Sequence, residues 1–539
     1  MPSAKRSLVN IATVVALATL ISKVFGLVRQ MAIAAAFGSG VAVDAYNFAY
    51  VVPSFLLILL GGVNGPFHSA IVSVIAKQDD KKQIQAIVET ITTVVGIVLL
   101  VATGVLIVAA PTIIDLLATG LAKVDNGALI RTSAIQQFQI MSFVTLLAGF
   151  IGIGFGTLNA ADMYWLPSVS PLLSSITVIA GVGIFYLQYG AKSAWPEFAI
   201  IGGQVLAWGT LSGAILQWLA QVIVQWRAGL GGFKFRFEWD RPEVKDVFKV
   251  LGPATLSSGM LQINLYTALW FASYIPKAPS ALNYANLLVQ TPLGIISSVI
   301  LIPFFPVFAR LTEPQQWPEL KDRIRQGLLL TAITMFPLGA IMAVLALPIS
   351  RVVYQRGAFS TGDSELVGQV LLVSSLGMFF YLARDIIVRV FYALGDGNTP
   401  FKISIINIFI NGVLCWLCSS QYGAPGLTMA TVGVNVFSFI SLFWILNGRL
   451  QGFDWNEIAT PMLKVFAAAT IAGGATWGAN YGWERFIQPR GTIGWASGLV
   501  LASIIGLVVF GTIASFLGLP EVEQVKSRLL SKFRRNRSS

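Results

Sequence analysis

The sequence predicts an all-α polytopic membrane protein of about fourteen transmembrane helices, arranged as two pseudo-symmetric six-helix lobes followed by two C-terminal helices. Three observations carry that expectation. Of 539 residues, 55% are hydrophobic and only 11% charged, against about 25% charged in an ordinary soluble chain, and mean hydropathy is +0.75. Apolar runs recur at the roughly 20-residue length that a helix needs to cross a bilayer. Motifs also recur at a nearly constant offset, which is the mark of an internal repeat.

The runs fall near 8–36, 43–76, 86–119, 131–158, 164–188, 198–226, 246–274, 280–309, 323–347, 365–394, 399–419, 424–446, 461–480 and 492–517. Several exceed what a bilayer requires, so tilted helices or helices continuing into solvent are expected. Lys5 and Arg6 precede the first run in the manner of a signal peptide, but the run is too long and lacks a small-residue cleavage site, so it reads as a retained helix. An even number of spans places both termini on one side. Loops after even-numbered spans carry Lys77, Lys81 and Lys82, then Arg227, Lys234, Arg236, Arg241 and Lys245, then Arg310, Lys321, Arg323 and Arg325, then Lys402 and Arg449. Loops after odd-numbered spans are sparser in Lys and Arg, so both termini are expected in the cytoplasm.

The repeat supports a division in the middle of the chain. Pro111 and Gly120 correspond to Pro348 and Gly357 at an offset of 237; Tyr46 to Pro53 corresponds to Tyr284 to Pro292, and Phe155 to Leu158 to Phe391 to Leu394, at offsets of 236 to 239. The expected organisation is an N-lobe over 1–226 (helices 1–6), a cytoplasmic linker loop over 227–245, a C-lobe over 246–447 (helices 7–12), helices 13–14 within 461–517, and a basic cytoplasmic tail over 518–539.

Composition also excludes chemistry. Cys415 and Cys418 both fall in an apolar run, so no disulfide framework is on offer; His68 is the single histidine, which removes multi-histidine metal sites, and its place inside span two argues against a serine–histidine–acid triad. No Walker-type phosphate loop occurs, and neither an enzyme nor an ATP-driven pump is expected. The net charge of +12 resides in short loops and the tail, where it sets topology and meets anionic lipid, not nucleic acid.

Charges inside spans are the exception that points to function, because each costs roughly 2.5–3.5 kcal/mol on insertion scales. The first run carries Lys23 and Arg29. Ser22 and Arg29, seven apart, share a helical direction, with Lys23 about 100° round, so one polar sector results. Asp44 opens the second run. Either Arg29 reaches the headgroups while Asp44 neutralises Lys23, or the sector lines a water-filled cavity and meets an anion. Further candidate cavity or hinge residues are Asn64, within the glycine-rich Gly61 to Pro66 piece that reads as a hinge, His68, Gln262 and Asn264 in span seven, and Asn286 in span eight. In span ten, Asp385 and Arg389 are spaced for an i,i+4 ion pair beside Arg384.

These residues carry a resemblance. Ser22-Lys23-Val24-Phe25-Gly26-Leu27-Val28-Arg29, Phe37-Gly38-Ser39-Gly40, Asp44-Ala45-Tyr46 and Pro53 resemble the opening of the MurJ (MviN) lipid II flippases of the multidrug/oligosaccharidyl-lipid/polysaccharide exporter superfamily; Arg356-Gly357-Ala358-Phe359 and Phe391 to Pro400 resemble its second-lobe signatures. The resemblance spans essentially the whole chain. It implies alternating-access transfer of an undecaprenyl-pyrophosphate-linked peptidoglycan precursor from inner to outer leaflet, with a cationic cavity for the headgroup and a groove beside the last two helices for the tail.

Arg29 and Asp44 match the family's functional arginine and aspartate, and Lys23 stands where arginine is usual, keeping the charge but not the bidentate fork. Two cavity cations usual in the family are replaced: Ser54 and Phe55 follow Pro53, and Asn286-Leu287 stands for an Asp-Arg pair. The implied partners are the lipid-linked precursor, membrane lipids and cell-wall synthesis proteins, with no cofactor, metal or nucleic acid. The alternatives are a flippase for another polyprenyl-linked glycan or a non-transporting scaffold for cell-wall synthesis in the inner membrane. A drug exporter would present acidic cavity residues to its cations.

Overall fold

A computed structural model describes residues 8–61, 66–75, 78, 80–232, 234–247, 249, 263–488 and 491–518. Among them are eighteen α-helices and no strand. The chain forms two compact units, Met1–Ser280 with Arg356–Ser360, and Ala281–Gln355 with Thr361–Ser539.

The first unit opens with α1 (Leu8–Phe37) and α2 (Val41–Gly61). Gly38 ends α1 in the left-handed region at φ 60° and returns its N–H to Ala34 O at 2.8 Å, a glycine-dependent helix stop. The second predicted run then divides: α2 ends at Gly61 and α3 (Pro66–Ile75) starts on a proline, with 62–65 outside the described residues. Next, α4 (Lys81–Leu117) begins at an Asp80 cap, whose carboxylate accepts the Lys82 N–H at 2.9 Å. Its 37 residues are about 55 Å long, well beyond a hydrocarbon core of about 30 Å. The fourth run is likewise broken, at Ser142, into α5 (Gly127–Met141) and α6 (Phe143–Ala160). The short α7 (Trp165–Val169), α8 (Pro171–Tyr189) and α9 (Ala199–Arg227) complete six spans, and α10 (Ile263–Ala272) is the described part of the seventh.

The eighth run is α11 (Ala278–Arg310), which starts in the first unit and continues in the second. There follow α12 (Trp317–Val344), α13 (Ala346–Tyr354), and α14 (Thr361–Leu376) with α15 (Met378–Ala393), a pair bent by 43° and apolar enough to form one broken span. The 52-residue α16 (Asn398–Arg449) holds two spans, because Gly423 at φ 61° and ψ −133° interrupts it and Pro425 follows. A side chain at Gly426 would run into the Cys418 carbonyl, so the two halves turn back on each other only with glycine there. Finally α17 (Trp455–Gly482), capped by Asp454, packs on α12, and α18 (Gly491–Phe516) packs on α17. Ten helical stretches among the described residues, some of them joining successive helices such as α5 and α6, are long and apolar enough to cross a bilayer.

The repeat reappears as paired contacts within the first unit. Gly120, past the end of α4, donates its N–H to Ser273 Oγ at 2.9 Å and has no room for a Cβ against Tyr274. Its repeat partner Gly357, at φ 58°, lies equally close to Ala35, whose carbonyl accepts the Ala358 N–H at 2.8 Å. Ser273 is itself about one repeat offset from Ala35, so each glycine turn docks on the counterpart of the other's partner.

Candidate functional site

The four leading candidates lie on the first two helices, Ser22, Lys23 and Arg29 on α1 and Asp44 on α2. Their environments differ sharply. Asp44, in the first turn of α2, is 5% exposed, and its Oδ1 accepts both the Ser280 N–H, at 3.1 Å, and the Ser280 hydroxyl. Ser280 lies in the first turn of α11, and the carboxyl also accepts a backbone bond from Lys277 and feels its charge. Asp44 therefore acts as an N-cap delivered from another helix, satisfying donors that α11 cannot satisfy itself. It sits at the positive end of the α11 dipole.

Arg29 lies on α1, half-buried, within electrostatic reach of the Tyr46 and Tyr50 hydroxyls of α2. Its Nε is buried without a hydrogen-bond partner among the described residues. Lys23, two turns earlier, is exposed, and neither cation forms an ion pair among the described residues. The arrangement in which Asp44 neutralises Lys23 does not occur: that carboxyl is committed to the 277–280 turn. Ser22 donates its hydroxyl to Ser168 O at 3.2 Å, tying α1 to α7. The tyrosine wall is ordered too, with Tyr46 and Tyr50 stacked at 5.3 Å and the Tyr46 hydroxyl 2.9 Å from Thr210 Oγ1.

His68 Nε2 lies 2.8 Å from Asn159 Nδ2, so α3 is bonded to α6 through its one ionisable side chain. Asn64 and Gln262 lie outside the described residues, Asn264 falls on α10, and Asn286 is exposed on α11 in the second unit. In α15, Arg384 takes both neighbours, donating to Ser438 Oγ at 3.1 Å and pairing with Asp385 at 3.7 Å; no Asp385–Arg389 ion pair occurs among the described residues. No group of three or more His, Cys, Asp or Glu able to hold a metal occurs among the described residues.

Two residues escaped the sequence reading. Ser280 is Asp44's partner, and its signal was the repeat itself, since the two positions are 236 apart. Glu89, in α4, has a fully buried side chain and pairs with Arg236 at 3.5 Å. An acid inside the third apolar run was the available sign.

The profile of the family described as lipid II flippase MurJ matches residues 33–490. A Synechocystis sp. protein described as a probable lipid II flippase MurJ is 52% identical over 536 residues, covering 99% of each chain. A Rhizobium tropici protein of the same description is 26% identical over 96% of this chain and 95% of its own. Among solved structures, a lipid II flippase MurJ in an inward closed conformation superposes with a TM-score of 0.73 at 20% identity, over 93% of this chain and 98% of that one. An inward-facing multidrug resistance MATE family transporter of the MOP superfamily gives 0.58 at 14% identity over 82% of this chain and 98% of its own, a likeness of fold alone.

Proposed function

This chain belongs to the lipid II flippase MurJ family, and we propose that it carries lipid II, the undecaprenyl-pyrophosphate-linked peptidoglycan precursor, from the inner to the outer leaflet of the bacterial inner membrane by alternating access. It is a multi-pass membrane transporter and not an enzyme. The observation that carries the reading is Arg29: a half-buried cation within a membrane span, within electrostatic reach of two tyrosines, whose buried Nε meets no acceptor among the described residues. A buried donor left open is costly unless a ligand completes it, and a pyrophosphate oxygen is the acceptor that the family's substrate supplies. Lys23 adds a second, less directional charge on the same helix.

The positive-inside distribution supports cytoplasmic termini. In that orientation the Asp44–Ser280, Gly120–Ser273 and Gly357–Ala35 contacts lie at the outer ends of their helices, and opening outward breaks them. Residues 1–226 and 246–447 serve as the two moving lobes, with 227–245 as their linker, and cell-wall synthesis proteins are the partners that supply and consume the precursor. The decisive experiment is depletion: lipid II should accumulate in the inner leaflet, and accumulation of a different polyprenyl-linked glycan overturns the substrate assignment.

The last two helices suit the tail. On α17 the small residues divide: Ala468, Ala469 and Gly473 are buried, with Gly473 close to Ala340 of α12, whereas Gly474 and Gly478 are exposed with open space around them. A photoreactive polyprenyl pyrophosphate should label the Gly474–Gly478 face in preference to Ala468. Labelling that avoids this face altogether removes the tail groove.

A further inference from the structure

A cavity lies within the first unit, between α4, α6 and α9, with a volume of about 380 Å³, inside the roughly 300–1,000 Å³ range of ligand pockets. The flipping reading makes no use of it. Its wall is apolar, including Ile153 and Trp218, the latter stacked on Phe150 at 5.4 Å. Ile97 and Leu100, 52% and 56% exposed, form one edge, so the cavity opens sideways toward lipid. Lys234 and Phe235 form another edge.

Those two residues belong to Lys234-Phe235-Arg236-Phe237-Glu238-Trp239, a strict alternation of charge and aromatic ring with the period of extended chain. The segment is not helical, and it is pinned to α4: the Arg236 N–H donates to Thr93 Oγ1 at 3.1 Å, and the guanidinium pairs at 3.5 Å with the buried Glu89. With Arg236 turned onto the helix, the rings point away, leaving Phe235 94% and Phe237 69% exposed. Aromatic rings beside lysine and arginine are the side chains that anchor a protein at the membrane–water boundary. The cytoplasmic leaflet is negatively charged, and Arg227, Lys234 and Arg241 lie on this stretch.

We propose that this cavity seats one acyl chain of an anionic phospholipid of the cytoplasmic leaflet, with the Lys234 ammonium at the mouth meeting the lipid phosphate and Phe235 and Phe237 lying in the interface. The assignment rests on the orientation proposed above. It is read without lipid II, so its failure and the failure of the flipping reading are separable.

Trp218 supplies the probe. The full chain is placed in nanodiscs holding phosphatidylglycerol or phosphatidylcholine brominated on one acyl chain, and the Trp218 signal among the 14 tryptophans is isolated by subtracting Trp218→Phe. Brominated phosphatidylglycerol, as a minor fraction in unlabelled phosphatidylcholine, should reach half-maximal quenching of Trp218 at about five-fold lower mole fraction than brominated phosphatidylcholine, the factor that one lysine near an anionic surface contributes. Lys234→Glu, at an exposed loop position, should erase that preference while leaving helicity and elution volume unchanged; Lys234→Gln serves if it does not. Equal quenching by both lipids, no quenching of Trp218, a preference that survives loss of the lysine charge, or displacement of the brominated lipid by undecaprenyl phosphate each overturns the proposal.

Discussion

Arg29 and Asp44 stand on neighbouring helices of one hairpin, yet the protein treats the two charges in opposite ways. Asp44 is buried with its oxygen engaged by Ser280 and Lys277, so its insertion cost is offset locally by a helix N-terminus that needed an acceptor. Arg29 is half-buried, and its Nε has no partner among the described residues. The difference teaches where each residue acts: removing a satisfied charge damages the fold, whereas removing an unsatisfied one relieves the fold and damages only what the charge was held ready to bind.

The largest expected effect follows from the unsatisfied side. Arg29→Ala should lower lipid II transfer by roughly ten- to a hundred-fold, the loss of one charge-assisted hydrogen-bonding group worth about 1.5–3 kcal/mol, with membrane insertion and thermal stability intact. Lys23→Arg should keep transfer and Lys23→Ala should lose it, because charge matters there more than geometry. Transfer at the wild-type rate in both alanine variants, measured with purified protein in vesicles, breaks the comparison at its functional end.

Asp44→Ala tests the other end. It leaves the Ser280 N–H and hydroxyl buried without their acceptor, which should cost about 1–3 kcal/mol and lower the melting temperature in detergent. Asp44→Asn keeps an acceptor oxygen and should recover most of the stability. Should Asp44→Ala melt like the wild type, the N-cap role is wrong and Asp44 joins Arg29 as a group held for ligand.

The same contrast explains what the sequence disclosed. The spans were legible because apolar length is a one-dimensional property: the expected run at 399–419 and the next at 424–446 are the two halves of α16, divided at Gly423. The presence of Lys23, Arg29 and Asp44 was legible for the same reason. Their partners were not. Nothing local to Asp44 marks Ser280, which is distant in the chain and reachable only through the repeat, and Glu89, more than two turns into α4, shows in the sequence as an acid in an apolar run but carries no sign that its partner is Arg236 of a distant loop.

A third aspartate sharpens the comparison with the smallest effect. Asp396 precedes α16 and, like Asp44, presents its carboxylate to a helix start: Oδ1 accepts the Thr399 N–H at 3.0 Å, and Oδ2 accepts the Thr399 hydroxyl at 2.8 Å and Arg449 at 2.6 Å. Unlike Asp44 it lies outside the spans, where its charge can titrate against solvent. Partial burial pushes its carboxyl up, but the Thr399 bonds and the Arg449 charge together outweigh that and hold it below the usual carboxylate range. A carboxyl that is more acidic in the folded state binds fewer protons there, so its stabilisation is present above the unfolded value near 3.9 and is lost as pH falls through the lower folded one. Arg449 is 38% exposed, so solvent screening limits the contribution to roughly 0.2–1 kcal/mol. Between about pH 5 and pH 3 the wild type should therefore lose slightly more melting temperature than Asp396→Asn, and the gap should shrink in about 1 M salt, where the Debye length falls to about 3 Å. A gap that is salt-independent places the stabilisation in the neutral Thr399 bonds, and a gap of opposite sign shows that burial, not Arg449, governs this carboxyl.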